Sequence, residues 1–401
     1  MAKRKIQKPT RFERMYKVWD YLRKNTDRRH PTSIAKMRKD ENINAYIGDK
    51  ETINRLLKDM ANIMNLEDGG SDYKPEAEWR LYFDDFKKFY GDKERYERDD
   101  SDEDDSYIAN VMRIKNLYYN RTFSEKEVDS IIEGIMATRT LDSKSAQELV
   151  RKVEDNMTTV FYKRTPRHIC KVQEPELADR ELLKDNLAII QKAIDDNVRI
   201  QFRFNGYSYE KKLEPVREES DELSPYYIVA SGGKYYLLAA KEYEGYKPNM
   251  SIWRIDLMTD IEIPGRNDRL HIKGIPRIPK KNVSNLPEKW SEDFQLKHLN
   301  MSFDKPVSVT LRIKSEKCED NPKKRVRPGY TFLHDWFGDS FTYIRTETKP
   351  PYDDIVRVEC SPYGMAHWAL QYSELVEVLE PESLREDIKS KIKALNEKYT
   401  L

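Results

Sequence analysis

The chain has 401 residues, with 72 basic against 71 acidic side chains, and its charged share (36%) nearly equals its hydrophobic share (38%). That length allows roughly two to four domains with cores of their own, and the balanced total conceals blocks of one sign. Three widely spaced cysteines (Cys170, Cys318, Cys360) give no disulfide framework and fit a reducing cytosol, and no apolar run nears the roughly 18 residues of a membrane span. A cytoplasmic chain with no membrane partner is expected.

Residues 1–39 carry fourteen Lys/Arg against three acids, Glu13, Asp20 and Asp27. Met1–Pro9 reads as a solvated tail. Beyond it Phe12, Met15, Tyr16, Trp19 and Leu22 form an apolar stripe at helical spacing. His30-Pro-Thr-Ser33 offers a cap and first turn for a short helix carrying Ile34 and Met37. Asn44–Gly48 reads as a connection, and Asp49 as the N-cap of a helix over Lys50–Asn65. That helix is expected to bury Ile53, Leu56, Leu57, Met60, Ile63 and Met64 and to show Lys50, Thr52, Asn54, Arg55 and Lys58 on its outer face. Three short helices, the third with a polar and basic outer face, suit a helix-turn-helix. Lys and Arg neutralise phosphates, while Asn and Arg make paired contacts to base edges. The candidate DNA-binding residues are therefore Thr32, Ser33, Lys50, Thr52, Asn54, Arg55 and Lys58. Any three-helix module with a solvated face would look the same.

Residues 66–122 would then form a large wing, with Glu78–Phe83 and Lys115–Tyr119 as strands. Between them Glu97–Asp105 holds seven acids and one arginine, a composition expected of a solvated loop tip. A second reading has this run compete with phosphate for the basic surface. Ser124-Glu-Lys-Glu127 is a capping box opening a helix with Val128, Ile131, Ile132, Ile135 and Met136 inward. A second helix runs through Ala146, Leu149, Val150 and Val153. A third covers Arg180–Asn197, with Leu183, Leu187, Ile190 and Ile194 on one stripe. These stripes suit an internal core or a dimer seam.

Ile200–Phe204 begins a set of strands, with Phe202 and Phe204 on one side and Arg203 on the other. Gly206–Lys212 turns the chain and brings two lysines beside the aromatics. Tyr226–Ala230 and Lys234–Ala240 are joined by Ser231-Gly232-Gly233, a tight hairpin signal because glycine tolerates positive φ. Both faces of Lys234–Ala240 are apolar or aromatic, as in a strand covered on both sides. Ile252–Asp256 supplies a third strand, with Ile252 and Arg254 on one face and Trp253 and Ile255 on the other. Rings beside cations suit single-stranded nucleic acid or a nucleotide. The candidate ligand-binding residues are Arg203, Phe204, Tyr207, Lys211, Tyr235, Tyr236 and Arg254. In the plainer reading the rings are core, the lysines are solvated, and Arg254 meets Asp256 internally. Residues 264–300 hold four prolines and read as a linker or crossover arm. Val307–Ile313 alternates strictly. Phe341–Ile344, Ile355–Val358 and Val376–Leu379 follow as strands, with helices at Pro362–Tyr372 and Pro381–Lys398. Together these fit a small ferredoxin-like α/β module.

Pro215, the glycine turn, Lys234-Tyr-Tyr-Leu237 and Trp253-Arg-Ile-Asp256 occur in an order that resembles the WYL domain. Tyr235 stands where that family usually has tryptophan, and Leu257 where a second arginine often follows the Asp. Asp49–Asp59 resembles the recognition helix of winged-helix regulators. Ser361-Pro-x-x-Met-x-x-Trp-Ala-Leu-Gln-Tyr372, followed by Val376-Glu-Val-Leu-Glu-Pro-Glu-Ser-Leu-Arg385, resembles the C-terminal extension that accompanies WYL domains, with Ser373 in place of a usual glycine. The resemblance implies an α+β multidomain chain. Its parts would be a winged helix-turn-helix with an enlarged acidic wing (1–122), a helical linker (123–197), a WYL-like β-barrel of the Sm-like/SH3-like kind (198–264), a proline-containing linker (265–300) and a ferredoxin-like extension (301–401). It also implies a ligand-responsive transcription regulator, a homodimer on a double-stranded DNA operator, whose barrel senses a nucleic acid or nucleotide-like effector. An accessory nucleic-acid-binding protein of a defence or repair system is the alternative.

Six histidines and three cysteines show no metal-ligand spacing, and no Gly-rich phosphate loop or nucleophile elbow appears. No cofactor, metal or catalytic residue is expected. A nuclease-like reading would have to rest on Asp353-Asp354, in a proline-rich turn.

Overall fold

The computed structural model describes residues 8–67, 72–86, 113–138, 140–164, 180–314, 317–318, 321–325 and 329–400. The acidic run Glu97–Asp105 and Cys170 lie outside the described residues. The chain is α+β and divides into two units, Met1–Glu176 and Leu177–Leu401. No helix among the described residues is long and apolar enough to cross a membrane.

The first unit opens with α1 (Arg11–Asn25), where Thr10 and Glu13 form a reciprocal capping box. Ser33 caps α2 (Ile34–Lys39) by accepting from the Lys36 amide. The expected connection at Asn44–Gly48 is instead one helical turn, α3 (Asn44–Ile47), because Ile43 and Ile47 are both drawn into the core. Gly48, at φ +65°, ends it, and a Cβ there would lie 2.7 Å from Arg14 Nη1. α4 (Lys50–Asn65) begins at Asp49, whose carboxylate accepts from the Thr52 amide. Its last residue, Asn65, is buried and acts as a partner for the next strand. Asn65 Oδ1 accepts from the amides of Arg80 (2.8 Å) and Leu81 (3.1 Å), and Nδ2 donates to the Leu81 carbonyl (2.8 Å).

The expected wing strands shrink to β1 (Leu81–Tyr82) and β2 (Tyr118–Tyr119), paired antiparallel with Leu81 opposite Tyr119. Glu76–Glu78 is a 3₁₀ turn, not strand. Thr32 bridges Leu117 in both directions, at 2.8 and 3.0 Å, so the segment before α2 joins this small sheet. Val18, Leu22, Met37, Ile53, Leu57, Met60, Trp79, Leu81, Phe83, Phe86 and Leu117 share one core. The α1 stripe is rotated from its expected position, with Val18 buried while Phe12 and Tyr16 are exposed, and Ile63 on α4 is 70% exposed. α5 (Glu125–Ala137) opens with the Ser124/Glu127 capping box and packs on α6 (Ser143–Met157) through Val128, Ile132, Val150 and Val153.

In the second unit α7 (Arg180–Asp196) leads into six strands: β3 (Ile200–Tyr207), β4 (Leu213–Pro215), β5 (Asp221–Ser231), β6 (Lys234–Ala240), β7 (Met250–Arg254) and β8 (Met258–Glu262). Their order is β4-β3-β5-β6-β7, with β8 on β3. Gln201 faces Glu222 on one side and Glu262 on the other, so β3 is interior. The Gly232-Gly233 turn has positive φ at both positions, as a tight two-residue hairpin requires. The expected strand over Ile252–Asp256 ends at Arg254, and Ile255–Leu257 is a 3₁₀ turn into β8. β7 and β8 therefore sit at opposite ends of a five-strand ladder, about 19 Å apart if it were flat. The three residues joining them span at most about 14 Å, so the sheet must curl. One face is covered by α7 through Leu183, Ile190 and Ala193. Asn186, fully buried in that helix, donates to the carbonyls of Ile255 (3.2 Å) and Met258 (2.8 Å) and fixes the turn.

The other face is covered by the proline-bearing segment, which is not a free linker. Tyr226 donates to the Ile278 carbonyl (2.7 Å), the Ile278 amide donates to Ser224 Oγ (3.0 Å), and Asn249 bridges Ser284. Ile278 and Val283 are buried there. So are Phe294, which opens the one-turn helix α8 (Phe294–Lys297), and Met301. Side chains of the sheet satisfy a backbone that has too many prolines to build a ladder of its own.

The remaining elements are β9 (Val307–Ile313), β10 (Lys317–Cys318), β11 (Asn321–Arg325), α9 (Thr331–Phe337), β12 (Thr342–Thr346), β13 (Asp354–Cys360), α10 (Pro362–Gln371), β14 (Val376–Glu380) and α11 (Glu382–Tyr399). The main sheet here has the order β12-β13-β9-β14, antiparallel throughout. Trp368 is fully buried among Phe332, Phe337 and Tyr372.

Candidate nucleic-acid and ligand sites

On α4 the structure separates the predicted DNA-binding set. Lys50, Thr52 and Arg55 are exposed, with 52% of the Arg55 side chain open, and Arg55 Nη2 donates to Glu51 Oε1 at 2.9 Å one turn earlier. Asn54 and Lys58 are buried, which corrects their assignment to the outer face. The buried arc of α4 is wider than its apolar residues alone predict. Thr32 is also buried and serves through its backbone bridge to Leu117, while the Ser33 hydroxyl is engaged as a helix cap.

Sequence reasoning missed the arginines that approach α4 from elsewhere. A cleft of about 440 Å³ holds Arg11, Arg14 and Arg55 against Asp49, Glu51 and Asp59. Arg11 pairs with Asp59, Arg14 donates to the Tyr46 carbonyl (3.3 Å), and Arg38 donates to the Gly48 carbonyl (3.2 Å). Arg11 and Arg14, three apart on α1, lie within the basic N-terminal block; that spacing is the signal that could have found them. Every cation in this cleft has an internal acidic or carbonyl partner, so binding a polyanion here means exchanging partners.

The predicted ligand set divides between the two faces of the curled sheet. Phe204 meets Trp253 edge-on (5.0 Å between centroids), and Tyr235 packs in the same cluster under α7. Those rings are core. Arg203 and Tyr207 alternate to the opposite face of β3, and Tyr236 stands opposite Arg254 across β6 and β7. Arg254 donates through Nε to Asp256 Oδ1 (3.1 Å) and through Nη2 to Oδ2. The Asp256 side chain is 1% exposed. Burial pulls the Arg254 pKa down, but the Asp256 hydrogen bond and charge, helped by the phenols of Tyr236 and Tyr207, outweigh it and leave it above the ordinary value. Arg203 lies 3.8 Å from Asp260, and Lys211 is an exposed turn residue at φ +64°. The structure therefore brings Arg254, Tyr236 and Tyr207 together and leaves Phe204, Tyr235 and Lys211 apart from them. A second buried carboxylate of this sheet, Asp221, stands opposite Phe202 and is held by Arg217 (2.7 Å) and Lys241 (2.8 Å).

Asp354 is fully buried at the start of β13 and accepts from the hydroxyls of Tyr330 and Thr346, both at 2.6 Å. It is an engaged core acceptor and not an open carboxylate of the turn. Among the described residues no three His, Cys, Asp or Glu side chains gather as a metal site.

Residues 305–395 match the WCX domain family. No curated protein matches the chain. Several solved structures are similar to it. One is proteasome accessory factor B/C (PafBC) of Arthrobacter aurescens, at 16% identity and a TM-score of 0.21, covering 72% of this chain and 39% of that one. Another is a CRISPR Cas-related protein, at 13% identity and a TM-score of 0.30, covering 76% and 75%. The chain thus spans well under half the length of the PafBC chain. Both likenesses are too low to bear on function.

Proposed function

We propose that the protein is a homodimeric, ligand-responsive DNA-binding transcription regulator. In this reading the first unit carries a winged helix-turn-helix, the curled sheet is a WYL-like sensor of the Sm-like/SH3-like kind, and the C-terminal module is a ferredoxin-like extension. The observation that carries the proposal is the WCX match over 305–395, C-terminal to a curled sheet that holds the Tyr-Tyr-Leu strand and, paired with it, the strand that ends in Trp253-Arg254 and turns through Ile255-Asp256. The strand order β12-β13-β9-β14, with helices after the first and third of the four strands in sequence, agrees with a split βαβ module. The short helices closed by a small sheet through Thr32, Leu117 and Leu81 agree with a winged helix.

Arg55 is the reader in this scheme. It exchanges Glu51 for a base edge, while Lys50 and Thr52 at the start of α4 hold the backbone. The effector, a nucleic acid or nucleotide-like anion, competes with Asp256 for Arg254 beside Tyr236 and Tyr207. Whichever arrangement of the dimer it prefers gains population by that differential affinity.

The test is a footprint on DNA flanking the protein's own gene, repeated with Arg55→Ala. A protected two-fold site is expected, weakened by about 1–3 kcal/mol in the variant. Salt-sensitive binding with no preferred sequence would reject the regulator reading in favour of an accessory role. Unchanged site binding by Arg55→Ala would reject α4 as the reader.

A further inference from the structure

We propose that the first unit carries a separate nucleotide-binding site, in the cavity between the Asp27–His30 turn and the Thr159–Lys163 turn. This inference rests neither on the sheet site nor on operator binding. The cavity measures about 870 Å³, within the roughly 300–1,000 Å³ of ligand pockets.

Four aromatic rings line it, those of His30, Tyr119, Phe123 and Phe161. The His30 ring stacks on Phe161 at 4.0 Å between centroids and 15° between planes. Phe161 and Phe123 are each 41% exposed, which leaves ring surface available to a flat ligand. Four exposed cations on the same lining, Arg28, Arg29, Lys126 and Lys163, make no ion pair among the described residues. A fifth, Arg121, crosses the site. Its Nη1 donates to the Thr26 carbonyl (3.2 Å) and its Nη2 to the Thr158 carbonyl (3.1 Å), while its Nε is buried with no partner among the described residues.

The lining also holds four carboxylates, and three of them are occupied locally. Asp27 accepts from the amides of Arg29 and His30 and sits 3.0 Å from the His30 ring. Glu127 closes the cap of α5, and Asp129 accepts from Tyr162 Oη at 2.6 Å. Those bonds leave the charge in place, so the lining carries five cations (Arg28, Arg29, Arg121, Lys126 and Lys163) against four carboxylates, with the lone pairs of three of the four turned to their own partners. Rings with open surface beside unpaired cations match a ligand with a planar base and a phosphate, since bases stack on rings and cations hold phosphates. The source is either a free nucleotide or one unit of a single strand.

The experiment uses the full chain and two probes. A short labelled oligo-dT is followed by anisotropy across a salt series, and AMP is titrated by calorimetry. The oligonucleotide is expected to bind. Phe161→Ala should weaken it about 10-fold, from the ~1–3 kcal/mol of a base stacked on an aromatic ring. Lys163→Gln should flatten the dependence of log affinity on log salt by about 0.7, one phosphate contact on a single strand. AMP binding that is likewise lost in Phe161→Ala identifies a free nucleotide as sufficient; binding of the oligonucleotide alone identifies the single strand. If Phe161→Ala lowers the melting temperature, Lys163→Gln decides by itself. Wild-type protein that binds neither probe overturns the proposal. So does binding that both variants retain at full strength, or that Arg254→Lys removes while they do not.

Discussion

Arg254 is the residue on which the ligand reading and the stability of the curled sheet meet. Arg254→Ala strands the Asp256 carboxylate, whose side chain is 1% exposed, without its bidentate partner. Removing one member of a buried pair costs about 3–5 kcal/mol. Arg254 itself retains 29% of its exposure, so water can partly replace it, and the lower end, about 3 kcal/mol, is expected. For a unit the size of Leu177–Leu401, with about 2–4 °C per kcal/mol, the melting temperature should fall by about 6–12 °C. Scanning fluorimetry and urea unfolding of Arg254→Ala, Asp256→Asn and the double variant form the assay. The double variant should recover much of the loss, because neutralising Asp256 removes the stranded charge. Arg254→Lys keeps the charge but not the fork, and is the better variant for effector titrations. An Arg254→Ala protein that melts within about 1 °C of wild type, far inside the expected interval, would refute this reasoning and leave Arg254 free to serve ligand alone.

Asn65→Ala removes three hydrogen bonds to the Arg80 and Leu81 backbone; the loss should be about 1–3 kcal/mol, read by chemical denaturation, with a wild-type midpoint counting against the strand-partner role. Gly364→Ala would place a Cβ 2.7 Å from the Leu299 carbonyl and 2.8 Å from Ser302 Oγ, so calorimetry should show a loss of about 1–3 kcal/mol from overpacking. His298 is buried against Phe294 with Nδ1 2.7 Å from the Ser302 carbonyl, and burial lowers its pKa below the ordinary value, outweighing that hydrogen bond and the charge of Asp304. The unfolded chain takes up this proton first, so its contribution is full above about pH 6.5 and is lost as pH falls from there through the lowered folded value. Melting curves of wild type and His298→Gln over that window should diverge in slope, and parallel slopes would show that His298 does not titrate on unfolding.

Local chemistry was legible in the sequence because it needs only neighbours. Asp49, Ser33 and the Ser124/Glu127 box each cap the helix that follows them by bonding an amide three residues on. The Gly232-Gly233 turn follows from what glycine alone permits. The two faces of β6 were readable from alternation, and Arg254 meeting Asp256 was open as the plainer alternative to a ligand. Periodicity placed the helices but could not fix the width of their buried arcs. Which side of α1 turns inward, and that Asn54 and Lys58 are covered while Ile63 is not, depends on partners brought from distant sequence. The same holds for the bridge from Thr32 to Leu117, for the packing of Ile278 and Phe294 on a sheet face, and for the cavity where Phe161 reaches His30. Each joins residues that carry no mark of one another in the sequence, because a contact of this kind is selected by shape, burial and unsatisfied backbone groups that exist only once the chain has closed.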